Sequence, residues 1–110
     1  MYFIYMLRCA DGTIYTGITS DPVRRMREHL GRGSACAKYT RAHPVASLEV
    51  LWKTKTHASA ARLEWLLKTL KRPQKLALIE DPSILSSLFS DTLDTESYTV
   101  IPGATLEKPI

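Results

Sequence analysis

The sequence predicts a small α/β (α+β) domain, a three-stranded and mostly antiparallel sheet flanked by helices, and three observations carry that expectation. Two β-prone runs, Tyr2 to Cys9 and Thr13 to Thr19, flank the turn signal Ala10-Asp11-Gly12. Two helical stretches, one opening near Asp21 and one near Ser59, have apolar positions at helical spacing. Between them "SLEVLWKT", residues 47–54, alternates like a third strand.

The hairpin comes first, and its loop length decides which side chains share a face. A two-residue loop would turn Tyr5 away from Tyr15. A three-residue loop sets Cys9 opposite Thr13, Leu7 opposite Tyr15 and Tyr5 opposite Gly17, so that both tyrosines lie on one face. Asp11 followed by Gly12 suits that longer loop, which ends in a left-handed residue. In this register Gly17 leaves a gap beside Tyr5 where a ligand can approach the backbone.

The first helix is capped by Asp21, carries Pro22 in its first turn and ends at Gly31 or Gly33. Val23, Met26 and Leu30 form a narrow apolar stripe. Arg25 and His29 fall about 40° apart on the opposite side and are expected outside the core. A loop runs on through Ala42, and Pro44 leads into the third strand. The second long helix spans Ser59 to Leu70, with Ala60, Ala61, Leu63, Leu66, Leu67 and Leu70 as its apolar set. Glu64 sits at the edge of that buried arc, where a carboxylate is costly unless it is paired or binds a cation. Pro73 opens a further short helix and Ile84 to Phe89 another. Residues 1–90 are expected as the domain, and residues 91–110 as an acidic C-terminal tail, extended or partly disordered.

The composition excludes several classes. The 110 residues allow one modest core, and no run reaches the ~18 apolar residues of a membrane span. Without a basic start followed by an apolar signal core, a cytoplasmic location is expected. Cys9 and Cys36 form neither a disulfide framework nor a CxxC site, and both are expected reduced. The net charge of +4 is uneven: residues 1–80 hold 14 Lys and Arg against 6 Asp and Glu, whereas residues 81–110 hold one Lys against 5 acids. The body suits a polyanion and the tail does not. Trp52 and Trp65 are expected in the core, and His43 and His57 have no partner spacing that assigns them a role.

Collected together, "FIY" (Phe3-Ile4-Tyr5), "YTG" (Tyr15-Thr16-Gly17), Arg25 with His29 one turn on, and Glu64 in "AARLEWLLK" resemble the GIY-YIG nuclease family over residues 2–80. The match is nearest to small stand-alone bacterial members, themselves similar to the junction-cleaving nuclease subunit. The resemblance implies a GIY-YIG fold and a metal-dependent endonuclease acting on DNA, with RNA left open. It also implies one Mg²⁺ or Mn²⁺ held by Glu64. Arg25 would clamp the scissile phosphate, since its planar fork matches phosphate oxygens. Tyr15 would deprotonate or merely orient the attacking water, with Tyr5 and His29 holding water and phosphate in register. Gly17, Arg8, Lys38 and Arg41 are the expected substrate contacts, the last three to phosphate.

Phe3 and Thr16 depart from the family's usual Gly and Ile or Val, and both suit a strand. Ile18 stands where some relatives carry lysine, and the family's asparagine beyond the glutamate helix has no counterpart. Two rivals stay open: a nucleic-acid-binding module without effective cleavage, and a subunit whose protein partner supplies specificity. A monomer is expected. The tail offers two further ideas, a polyanion mimic over the basic face and a docking strand in "YTVIPG". Glu64 also has a plainer reading, as the i,i+4 partner of Lys68.

Overall fold

The computed structural model describes residues 1–31 and 38–102, except for the side chain of Arg41. Cys36 lies outside the described residues, as do residues 103–110 of the tail. The strands are β1 (Tyr2–Cys9), β2 (Ile14–Thr19), β3 (Val45–Thr54) and β4 (Thr99–Val100), in sheet order β2-β1-β3-β4 and antiparallel throughout. The helices are α1 (Pro22–Gly31), α2 (Lys38–Ala42), α3 (His57–Thr69), α4 (Arg72–Glu80) and α5 (Leu85–Phe89). The architecture is the expected α+β one, with a short fourth strand added.

The hairpin takes the three-residue loop. Tyr5 pairs with Gly17 and Leu7 with Tyr15. The Cys9 amide donates to Thr13 O at 2.8 Å, and Gly12 adopts φ +87°, the left-handed conformation that the loop requires. Pairing of β1 with β3 is less regular. Register shifts at Met6/Leu7 and Arg8/Cys9 leave Glu49 and Ala46 of β3 as extra residues. The first shift breaks the alternation expected in "LEVLW", and it lets both Leu48 and Leu51 join the Tyr5 side of the sheet while Val50 and Trp52 lie on the other.

Two cores result. On one face Ile4, Met6, Val50 and Trp52 pack against Ala60, Leu63, Leu66 and Leu67 of α3, Leu78 of α4, and Leu85 and Phe89 of α5. On the other, Tyr5, Leu7, Leu48 and Leu51 pack with Met26 of α1.

The structure corrects four expectations about helices. The apolar stripe of α1 does not face the sheet as a whole: Val23 and Leu30 are exposed, and the inward set is Pro22, Arg25, Met26 and His29. His29, expected outside the core, is completely buried, because Tyr5 of β1 and Thr40 of α2 give both of its ring nitrogens a partner. Trp65, expected in the core, is 61 % exposed, since it points opposite to the arc of Ala60, Leu63 and Leu67. Trp52 is fully buried as expected. The segment 38–42, expected as loop, forms α2.

Residues 91–98 form turns and a single 3-10 turn, Thr95–Ser97, before β4 joins the sheet at Trp52 and Lys53. The Tyr98 hydroxyl donates to Ser59 O at 2.7 Å, Val100 pairs with Trp52, and the Ile101 amide donates to Leu51 O at 2.8 Å. The described part of "YTVIPG", Tyr98 to Pro102, thus docks on its own chain through Tyr98, Val100 and Ile101.

Candidate active site

Strand alternation puts Tyr5 of β1 and Tyr15 and Gly17 of β2 on the α1 side of the sheet. Gly17 serves Tyr5: a Cβ there would collide with the Tyr5 hydroxyl and lie 2.6 Å from its Cζ. The gap expected beside Gly17 is therefore filled by the protein's own phenol.

Above that face α1 lowers Arg25 and His29, one turn apart. Asp21 fixes the start of the helix by accepting from the Arg24 amide at 3.1 Å. Tyr5 and His29 meet at 2.8 Å between hydroxyl and Nε2, and His29 Nδ1 lies 2.7 Å from Oγ1 of the buried Thr40 of α2. Burial pushes the Tyr5 phenol up to about 12, against the pull of a hydrogen bond from Arg25. Burial, with the Arg25 charge beside it, lowers His29 to about 4. Both groups are then neutral at pH 7. Tyr5 accepts from Arg25, and the neutral imidazole carries the chain on to Thr40, one ring nitrogen donating and the other accepting. Arg25 is also held by Glu28, with Nη1 at 2.7 Å from the carboxylate. Burial opposes its charge, but these hydrogen bonds outweigh burial and raise its pKa further.

Over this buried chain sits Tyr15, half-buried, its ring 6.2 Å from Tyr5 and 5.6 Å from His29. Glu64 of α3 is 24 % exposed and pairs with Lys68 at 3.3 Å. Its charge contributes to the upward shift of Tyr5. Among the described residues no group of three or more His, Cys, Asp or Glu gathers into a metal cage. A hollow of about 480 Å³ lies elsewhere, lined by Lys53, Lys55, Asp94 and Glu96 among others.

Tyr5, Tyr15, Gly17, Arg25 and His29 thus come together, with Glu64 at the margin. Arg8 is separated from them. It lies on the other face of β1 and pairs with Glu49 at 3.2 Å. Lys38 is exposed at the start of α2, and the Arg41 side chain lies outside the described residues.

A model of the GIY-YIG catalytic domain matches residues 1–77. The chain belongs to the GIY-YIG family. That family is a nuclease family, so residues 1–77 constitute a nuclease-type domain whose substrates are nucleic acids. The chain is 38 % identical over 81 residues to a UPF0213 protein of Fusobacterium nucleatum, covering 74 % of this chain and 79 % of that protein. A UPF0213 protein of Xanthomonas campestris is 40 % identical over 84 residues, 76 % of this chain and 80 % of the relative. One from Halobacterium salinarum is 42 % identical over 79 residues, 71 % and 99 % of the two chains. The solution NMR structure of a UPF0213 protein from Bacillus halodurans shares 38 % identity, covers 73 % of this chain and 84 % of that one, and superposes with a TM-score of 0.47.

Sequence reasoning missed Thr40, Tyr39, His43 and the role of Asp11 beyond the turn. Tyr39 stacks on Tyr15 (centroids 5.5 Å, planes 22° apart) and on His43 (4.2 Å, 17°). His43 Nδ1 in turn lies 2.6 Å from the Asp11 carboxylate. The i,i+4 spacing of Tyr39 and His43 was the available signal, but it points to a shared side only once 38–42 is known to be helical.

Proposed function

We propose that this chain is a divalent-metal-dependent endonuclease that hydrolyses phosphodiester bonds in DNA, with single-stranded or branched DNA as substrate. A monomer serving DNA repair, recombination or processing in the cytoplasm fits that reading. The supporting observation is the hydrogen-bonded chain Arg25–Tyr5–His29–Thr40 lying directly beneath Tyr15. So long a polar chain is costly to bury unless every member has a role, and here each fixes the next.

Arg25 is the member that reaches outward, with 23 % of its side chain exposed. Its fork is the natural clamp for the non-bridging oxygens of a phosphate. Tyr5, protonated at neutral pH, is no base; it holds the guanidinium in place. Neutral His29 hydrogen-bonds the Tyr5 hydroxyl through Nε2 and keeps that phenol oriented. Tyr15 Oη is the group left to take or orient the proton of an attacking water.

Glu64 is the carboxylate that would hold the metal. One carboxylate, with water and phosphate oxygens completing the shell, fits a hard cation such as Mg²⁺ or Mn²⁺, which keeps several waters. When bound, such an ion supplies positive charge to the phosphate and acidifies a water. The Glu64–Lys68 pair is the observation that favours a second reading, a module that binds nucleic acid without cutting it.

The deciding experiment is cleavage of end-labelled single-stranded, duplex, flap and four-way-junction DNA with Mg²⁺, Mn²⁺ or EDTA, with Glu64→Gln beside the parent. Metal-dependent cutting that falls at least ~10³-fold in the variant, with its melting temperature unchanged, is expected. DNA binding with no new ends from the parent would establish the binding module instead.

A further inference from the structure

Three rings run outward from the site as a column. Tyr15 is half-buried over Tyr5, Tyr39 is 36 % exposed, and His43, the outer ring, is 35 % exposed. The outer ring is not loose. Asp11 Oδ2 takes His43 Nδ1, while Asp11 Oδ1 takes both the amide and the hydroxyl of Thr13, at 3.1 and 2.7 Å. These hydrogen bonds from Thr13 and His43 hold the Asp11 carboxyl well below the usual carboxylate range. The next residue is tied as well, since the Ala10 amide donates to Pro44 O at 2.7 Å. An acidic residue beside a phosphate-binding face is a liability, and fixing the plane of an imidazole is what this one does.

Exposed rings held parallel are unusual for a surface whose apolar residues have a core to join. Stacking of bases on aromatic rings is the general means by which proteins hold unpaired nucleotides. We propose that the outer face of His43, backed by Tyr39 and clamped by Asp11, is a stacking platform for an unpaired nucleobase near the scissile phosphate. The proposal rests on the nuclease reading and names its substrate class. His43 stands two stacking distances beyond Tyr15, 5.5 and then 4.2 Å, which is within reach of a nucleotide adjoining one whose phosphate is held by Arg25. In a duplex both faces of that base are already stacked on neighbours. Only a base in a single strand, at a flap or splayed from a junction can lie on this column. The platform therefore selects strands by pairing rather than by sequence.

The test needs no cleavage. Short single-stranded oligonucleotides carrying one 2-aminopurine, and matched duplexes, are titrated with the full chain in EDTA at several salt concentrations. Tyr39→Ala, His43→Ala and Tyr39→Phe are compared with the parent, each checked by thermal melting. For the parent we expect 2-aminopurine fluorescence to change on binding to the single strand and not to the duplex. Tyr39→Ala and His43→Ala should each weaken single-strand binding about tenfold and abolish that change, while duplex affinity and the slope of affinity against salt stay put. Tyr39→Phe should restore both. If Tyr39→Ala does not fold, His43→Ala at the outer end decides alone. A parent that does not bind single strands, or variants that lose single-strand and duplex affinity equally, would overturn the platform. The nuclease reading fails differently, by an absence of metal-dependent ends, and a chain that stacks bases without cutting would keep the platform and lose the enzyme.

Discussion

The two faces of the sheet are lined by alternate residues of the same strands, yet they are built on opposite principles. On the α3 side, Ile4, Met6, Val50 and Trp52 meet leucines, and any arrangement that fills the volume satisfies them. On the α1 side, Leu7, Met26, Leu48 and Leu51 share the buried volume with a phenol, an imidazole and a hydroxyl, Tyr5, His29 and Thr40, each usable only in one orientation. The first face makes the domain stable, and the second aims Arg25 and Tyr15. The contrast explains how one small domain holds a polar site: the core across the strands carries the stability that the polar side cannot.

Breaking the apolar face should therefore give the largest loss of stability. Trp52 is fully buried, and among the described residues its indole N–H meets no acceptor, so truncation removes packing alone. Trp52→Ala should cost ~3–5 kcal/mol and lower the melting temperature by roughly 10 °C or more. Thermal melts followed by circular dichroism check this, and a loss under ~1 kcal/mol would mean that the two faces share the load.

The same contrast governs how much of the molecule the sequence discloses. The hairpin register was legible because Asp11-Gly12 fixes the loop, and the loop fixes every pair after it. The orientation of α1 was not. Hydrophobic periodicity assigns Val23 and Leu30 to the interior, but the face that α1 covers already offers Tyr5 and Thr40 as partners, so His29 goes in and Val23 and Leu30 stay out. Polar interiors defeat pattern reading because their logic is pairing, and the partners lie 11 and 24 residues away. Trp65 misleads for the opposite reason: its size suggests the core, while its helical position points outward. The bulge in β3 and the two-residue β4 follow from sheet geometry and leave too short a trace in composition. Of the candidate site, the residues carried by the family resemblance were legible, and the column Tyr39–His43–Asp11 was not.

The polar face has its own weakness, which acid should expose. His29 titrates at about 4 in the folded protein against 6.5 when free. Between those values the unfolded chain takes up a proton that the folded chain refuses, so stability falls as pH drops from about 6.5 toward 4 and is flat in this respect above 7. The full effect is on the order of 3 kcal/mol. Asp11 does not confuse the window, because its lowered carboxyl acts only in stronger acid. Urea melts at pH 7, 5.5 and 4.5 should show this slope in the parent and a flatter one in His29→Gln. Equal slopes would place the acid-sensitive group elsewhere.

The smallest effect is expected where the two principles meet, at the rim. Glu64 belongs to the helix that closes the apolar face, and its charge reaches Tyr5 on the polar one. Its pair with Lys68 is exposed on the lysine side, 54 % against 24 %, and such i,i+4 pairs contribute a few tenths of a kcal/mol. Lys68→Ala should therefore change stability by less than ~0.5 kcal/mol. If the carboxylate serves a cation instead, removing its competitor should leave unchanged, or lower, the Mg²⁺ concentration that half-saturates cleavage. A variant that melts markedly earlier and needs more metal would show the pair to be part of the site's architecture. A variant that melts like the parent and saturates earlier would assign Glu64 to chemistry, since the helix would have lost nothing by giving up its lysine.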